Sequence, residues 1–437
     1  MESDVGMGSE RSDQQKNIVI VGGGFAGGTL ARALERRLPT GYDIFLLSQT
    51  DYITFNPLLP EVVGASVLPS HVVVPLRRLL RRTRIRMVEV TGIDLEARRI
   101  SYSQPIRDSI PFEHLVLAAG LDANVHAVPG IDVHGLTLKT LGDAMHLRNR
   151  VIGCLEEATL TYDVEKSRRL TSFAVVGGGF SGVEVAGEIH DLLREAAPLF
   201  KRVRPDDCQV HILHAMPHLL PEVSESLGRY TERVMSKRGV RVHLNAQVEA
   251  VDATGVVMKD GTRIEAATVV STVGTQAHAF IASLPFADAR GRIPVDGSLA
   301  VPGQDRVWAL GDCAVVPNAR TGKPSPTTAQ FAVPQAQVLA ANLVASLAGK
   351  PLKNFSFISR GQLAAVGHRK AVAEVFGLRL GGMPAWLLWR AFYLARIPTI
   401  AWKVRLFLEW SWTTLFKKDI SLVDFERSRT HSAHPPV

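Results

Sequence analysis

Two stretches of this sequence carry the residue types and spacing that bind a pyrophosphate: VIVGGGFAGGTLA at Val19–Ala31 and AVVGGGFSGVEVAGE at Ala174–Glu188. In each G-x-G-x-x-G, the first glycine (Gly22, Gly177) makes a tight strand-to-helix turn and the second (Gly24, Gly179) lets the backbone approach phosphate. The third (Gly27, Gly182) lets the helix pack on the strand. The phosphates then meet unpaired N–H groups at a helix N-terminus, where the dipole favours negative charge. One such pattern is weak evidence. Two of them, about 155 residues apart, imply two dinucleotide sites and hence electrons passing from one cofactor to another.

Three polar side chains stand where such chemistry could use them. Asp312 ends the run RVWALGD before small residues, a place where a carboxylate accepts hydrogen bonds from sugar hydroxyls or simply caps a turn. Glu184 follows the second glycine loop and is expected in the first helical turn, stabilised as an anion by the dipole; a helix-start glutamate without chemistry would look the same. Gln330 offers a donor and an acceptor together. None of the three is diagnostic alone.

The elements that must hold these residues follow from periodicity. Asn17–Val21 reads as a buried parallel strand, Phe25–Leu38 as a helix and Asp43–Leu47 as the next strand. His114–Gly120 and Arg306–Ala314 read as further strands of the same sheet. They flank the second glycine pattern, so a second unit is inserted in the first. That unit continues through a helix at Val183–Glu195 and strands at Gln209–Leu213, Val240–Leu244 and Thr268–Thr272. The fold class is therefore α/β, with two doubly wound Rossmann-like domains, one inserted in the other. The expected organisation is a disordered tail at 1–16, a first domain from 17–125 and 288–345, a second at 126–287, and a C-terminal region at 346–437.

Bulk properties exclude several classes. With 437 residues, 46% apolar and 21% charged, the chain is globular and long enough for two or three domains. Cys154, Cys208 and Cys313 are far apart, with no redox-pair or metal spacing. No metal site is expected. The first 16 residues lack the apolar core of a signal peptide, and no run of 18 apolar residues suggests a spanning helix. A net charge of +8 suits an acidic partner, and its distribution favours lipid over nucleic acid. Five of the six tryptophans, Trp386, Trp389, Trp402, Trp410 and Trp412, fall within a short stretch. They are interleaved with Arg390, Arg396, Lys403, Arg405, Lys417 and Lys418 against the single acid Glu409. Pro398 splits this stretch into two helices. Aromatic bulk with cationic edges suits helices lying in a membrane interface over 384–418; a helix pair packed in a domain or dimer interface would show the same residues.

Together with the glycine patterns, TFNPLLPEV (Thr54–Val62), LGD (Leu310–Asp312), SPTTAQ (Ser325–Gln330), GQLAAVGHRKAVAE (Gly361–Glu374) and GMPAWLLWRAFYLARIP (Gly382–Pro398) resemble the type II NADH dehydrogenases, single-chain NADH:quinone oxidoreductases that pump no protons. The likeness runs from about Asn17 to about Val423. It implies FAD at the first site, with Gly22, Gly24, Phe25, Ala26, Gly27, Ser48, Gly120 and Asp312 as its contacts. It implies NADH or NADPH at the second, with Gly177, Gly179, Phe180, Ser181, Gly182, Glu184, His214 and Gly274. Asp312 then contacts the ribityl–phosphate region, Glu184 lies near the nicotinamide, and Gln330 lies near the isoalloxazine and the quinone head. Glu184 and Gln330 are the candidate catalytic pair. The resemblance further implies C-terminal helices docked on the lipid bilayer, a peripheral protein on the cytoplasmic face of the cell membrane, and it admits a homodimer.

Three positions depart from that pattern. A carboxylate usually ends the second strand of each unit to bind the adenosine ribose; here FLLSQ carries Ser48 and HILHA carries His214. Serine still bonds a hydroxyl. His214 removes a charge that repels a 2′-phosphate, so weak discrimination between NADH and NADPH is expected. Third, AQFAVPQ places Pro334 where a second glutamine is usual and moves that glutamine to Gln335, which helical geometry turns to another side. Two other functions fit the same residues: a soluble NADPH-dependent flavin reductase of a small acceptor, and a nucleotide-sensing flavoprotein with little turnover. A sulfide-oxidising quinone reductase lacks its cysteine pair here.

Overall fold

The apolar runs that precede the two glycine patterns are the central strands of two parallel sheets. In the computed structural model, which describes residues 16–103 and 105–423, the strands used below are β1 (Lys16–Val21), β2 (Tyr42–Ser48), β3 (Arg84–Met87), β4 (His114–Leu117), β5 (Gly135–Thr137), β6 (Ser172–Val176), β7 (Gln209–Leu213), β8 (Arg241–His243), β9 (Thr268–Ser271), β10 (Val307–Ala309), β11 (Gly361–Ala365), β12 (Ala371–Val375) and β13 (Leu378–Gly382). The helices are α1 (Phe25–Glu35), α2 (Leu59–Val63), α3 (Phe180–Ala196), α4 (Ala329–Leu347), α5 (Met383–Arg396) and α6 (Ile400–Leu415).

The first sheet has the order β10-β4-β1-β2-β3 and the second β5-β9-β6-β7-β8, all pairs parallel. Ile18, Val19 and Ile20 are fully buried in β1, as are Phe173, Ala174 and Val175 in β6, as a strand covered on both faces requires. Since β10 joins the first sheet after the second is complete, the second unit is inserted in the first. The expected strands at 114–120 and 306–314 are shorter in the structure. Gly120 and Gly311 both take positive φ (74°), which ends regular pairing and turns the chain into the site. Of the tail expected at 1–16, all but Lys16 lies outside the described residues; Lys16 pairs with Tyr42.

The C-terminal part begins with the antiparallel sheet β11-β12-β13. Helices α5 and α6 follow, broken at Ile397–Thr399, where Pro398 lacks the N–H a continuing helix needs. Their tryptophans are not, for the most part, at the surface. Trp389 and Trp410 are buried with centroids 6.0 Å apart, in the same core as Val183 and Ile189 of α3. The Trp402 indole donates to the Val73 carbonyl (2.6 Å) and the Trp410 indole to Glu61 (2.9 Å). Arg390 stacks over Trp386 and Trp410. Lys418, read from sequence as a lipid-facing cation, pairs at 3.3 Å with buried Glu188, and Glu409 pairs with His71. Trp412 is the exposed member, at 60%.

What faces outward is apolar, aliphatic and aromatic together. Ile400, Val404, Phe407, Leu408, Trp412 and Leu415 are all at least half exposed, and their spacing puts them on one stripe of α6. Arg405 and Lys417 are exposed beside it. No helix among the described residues is long and apolar enough to cross a membrane.

Candidate active site

Both glycine loops have a backbone that suits a phosphate cradle. Gly22 and Gly177 adopt φ of +106° and +112°, which a residue with a Cβ rarely takes. A Cβ on Gly27 would collide with the Gly22 carbonyl, and one on Gly182 with that of Gly177. A Cβ on Gly24, in contrast, would meet nothing within 4 Å. Helices α1 and α3 start at these loops with no side-chain cap and no acid in their first turns, so their N–H groups and dipoles are available to an anion.

A single cleft of about 1450 Å³ runs between the two units to the C-terminal helices. Gly22, Gly24, Phe25, Ala26, Ser48, Gly120 and Asp312 line it from the first unit; Phe180, Ser181, Glu184 and Gly274 line it from the second, and Gln330 from α4. Gly27, Gly177, Gly179, Gly182 and His214 do not form its wall. His214 is turned beneath the second loop: its Nδ1 accepts from the Gly178 N–H at 3.1 Å, and Nε2 is buried without a partner. Burial, with His218 adding, holds its pKa below the ordinary value. At neutral pH it therefore carries no charge toward a nucleotide.

Asp312 follows the turn at Gly311, whose N–H donates 2.8 Å to Gln335 Oε1. Gln335 is 2% exposed and thereby fixed in a structural bond, so it does not replace the missing glutamine at position 334. Pro334 sits inside α4, where it withholds the N–H that would otherwise bond the Gln330 carbonyl four residues back. The Gln330 side chain lines the cleft, donating to the Gly361 carbonyl (3.2 Å) and accepting from Ser359 (2.9 Å). Burial raises the Asp312 pKa, opposed by Lys139 and Arg292.

Glu184 departs from its expected state. With α3 starting at Phe180 after Gly179, it lies in the second turn, beyond close reach of the terminal N–H groups. It is 7% exposed and accepts from the Ala365 N–H at 3.0 Å. Burial raises its pKa to about 8, with Glu61 and Glu188 adding. It is a neutral acid at pH 7 rather than an anion held by the dipole. Tyr393 of α5 lines the cleft, its pKa raised first by burial and then by Glu184.

Glu61 was not singled out by sequence. It lies on α2, buried, and burial first and Glu188 second raise its pKa to about 7. A carboxyl shifted upward stabilises the fold below its unfolded pKa, near 4.5, and that contribution is lost as pH rises through about 7. Glu61→Gln keeps an acceptor for Trp410 and removes the loss. Thermal melts should show the variant matching wild type at pH 4 and exceeding it at pH 8; an equal shift at both would contradict the assignment.

The comparisons with known proteins fit this geometry. The pyridine nucleotide-disulphide oxidoreductase family matches residues 16–336, and the NDH2 C-terminal domain matches 360–419. A type II NADH:quinone oxidoreductase, NdhA of Mycobacterium tuberculosis, is 33% identical over 419 residues, covering 91% of this chain and 87% of that one. The chain belongs to the type II NADH:quinone oxidoreductases. A demethylphylloquinone reductase, NdbB of Synechocystis, is 31% identical, with 92% and 97% covered. Among solved structures, NDH2 from Plasmodium falciparum in complex with NADH superposes with a TM-score of 0.86 at 19% identity, covering 93% of this chain and all of that one. The sulfide:quinone oxidoreductase of Aquifex aeolicus reaches 0.70 at 19% identity, with 89% and 91% covered. Despite the disulphide in the broader family's description, Cys154, Cys208 and Cys313 are all free here.

The first glycine loop and Asp312 fit FAD: the loop offers uncapped N–H groups, and the cleft is open over Gly24. Gly24→Val would fill that space, and purified protein should lose most of its yellow, non-covalent flavin. Absorbance of the purified variant measures this; full flavin content would place the cofactor elsewhere.

Proposed function

We propose that this chain takes hydride from NADH on FAD and passes the electrons to a membrane quinone without pumping protons. The observation that carries the reading is the continuous cleft, which joins the first phosphate loop and Phe180 and Ser181 at the start of α3 to Gln330, Tyr393 and Lys403. Residues 17–125 and 288–345 hold FAD, and 126–287 hold the nicotinamide nucleotide. Bound FAD supplies the two-electron carrier between donor and acceptor.

The chain's own residues have three tasks in this reading. The uncapped first turns of α1 and α3 bind the pyrophosphates, and Asp312 accepts from ribityl hydroxyls. Gln330, held by Ser359 and Gly361, orients the acceptor. Glu184 holds a proton: reducing a quinone to a quinol requires two, of which the hydride accounts for one, and a carboxyl with a pKa of about 8 can release the other inside the cleft.

The apolar stripe of α6 lies in the lipid interface, and the protein sits peripherally on the cytoplasmic face, where NADH is present. Turnover with a short-chain quinone and with a soluble acceptor tests the reading. If a soluble acceptor proves much faster than any quinone, the flavin reductase becomes the better description.

A further inference from the structure

We propose that Glu222 supplies the carboxylate that His214 lacks, and that it makes the nucleotide site selective for NADH over NADPH. The inference rests on the nucleotide assignment above and adds a residue to it. The loop after β7 leaves His214 facing inward, then returns over the second glycine loop. The Leu220 N–H donates to the Gly178 carbonyl at 2.8 Å, and the Ser224 N–H to Glu374 Oε2 at 2.8 Å. Glu374 is itself held by Arg379 at 3.3 Å. Between these two fixed points stands Glu222, exposed and lining the cleft. Its Oε1 lies 3.4 Å from where a Cβ on Gly179 would be.

Toward a dinucleotide, a carboxylate at this place can accept from the ribose hydroxyls that flank the pyrophosphate. It cannot remain against the pyrophosphate, since both are anions. Its backbone belongs to the loop following the second strand of the unit, the side on which a Rossmann fold seats the adenosine ribose. There a carboxylate accepts from the 2′- and 3′-hydroxyls and repels a 2′-phosphate. The cations that line the cleft are Arg32, Arg36, Arg37, Lys139, Arg396 and Lys403, none of them on this loop, and His214 is neutral. Apart from His218, the loop after β7 carries no cationic side chain, Lys and Arg being absent from residues 214–224, so little there offsets the repulsion, and selectivity for NADH follows.

The test measures kcat/KM with NADH and NADPH for wild type, Glu222→Gln and Glu222→Arg, alongside calorimetric binding of ADP-ribose and its 2′-phosphate. Wild type should favour NADH by at least about 100-fold. Glu222→Gln should cut that ratio at least about tenfold, or roughly 1.4 kcal/mol, and Glu222→Arg should bind the 2′-phosphate more tightly than wild type does. Flavin absorbance reports whether each variant is folded and loaded. If wild-type flavin is not bleached by NADH, the nucleotide assignment itself fails. If bleaching is normal but the NADH:NADPH ratio stays within about twofold in both variants, Glu222 has no part in selectivity.

Discussion

Replacing Phe407 and Leu408 with glutamate is expected to move the protein from the membrane pellet to the soluble fraction and to cut turnover with a long-chain membrane quinone at least about tenfold. Both side chains are more than half exposed on the α6 stripe. Fully burying such a residue in an apolar environment contributes about 1.5–3 kcal/mol, so losing two changes partitioning by well over tenfold. High salt alone should release little of the wild type, because apolar burial is not screened by ions. The point variants test docking more cleanly than removing the helices. With Trp389, Leu406 and Trp410 in the core and Lys418 paired with Glu188, truncation from Pro384 would open the interior of the second unit. Unchanged sedimentation of the double variant would remove α6 from the lipid contact.

The second large effect is expected at Glu184. Glu184→Gln keeps an acceptor for the Ala365 amide but cannot release a proton, so quinone turnover should fall about 100-fold, within the range of a lost general acid. Flavin bleaching by NADH, which needs no proton from this residue, should stay within about threefold. In wild type, the acid form predominates below about pH 8 and is lost above it. Turnover should therefore decline as pH rises through that value, and the decline should vanish in the variant. A variant with normal quinone turnover and an unaltered pH profile would leave Glu184 as packing only.

The parts of this molecule visible in the sequence are those specified locally. The glycine loops, β1 with β2, β6 with β7, and the break at Pro398 each follow from a few adjacent residues whose backbone geometry admits one outcome. The state of Glu184 was not visible because it depends on burial by β11 and α5, elements that follow it by well over a hundred residues. Glu61 was missed for the same reason: its Trp410 partner is 349 positions away. The tryptophans misled in an informative way. Trp389 and Trp410 look interfacial in composition, yet their indoles fill the core, and the outward stripe is made by Trp412 together with Ile400, Val404, Phe407, Leu408 and Leu415. His214 directly follows β7; that its ring turns under Gly178 is a rotamer choice that sequence does not carry. Pro334 could be read directly, but that Gln335 is spent on Gly311 required the fold.

In the proposed reaction one cleft carries electrons from NADH to quinone. Anaerobic stopped-flow mixing tests it most directly: the flavin band should bleach on the first mix with NADH and return on the second mix with quinone, both at least as fast as steady-state turnover. Bleaching without return on quinone, when a soluble acceptor restores the band quickly, would contradict it.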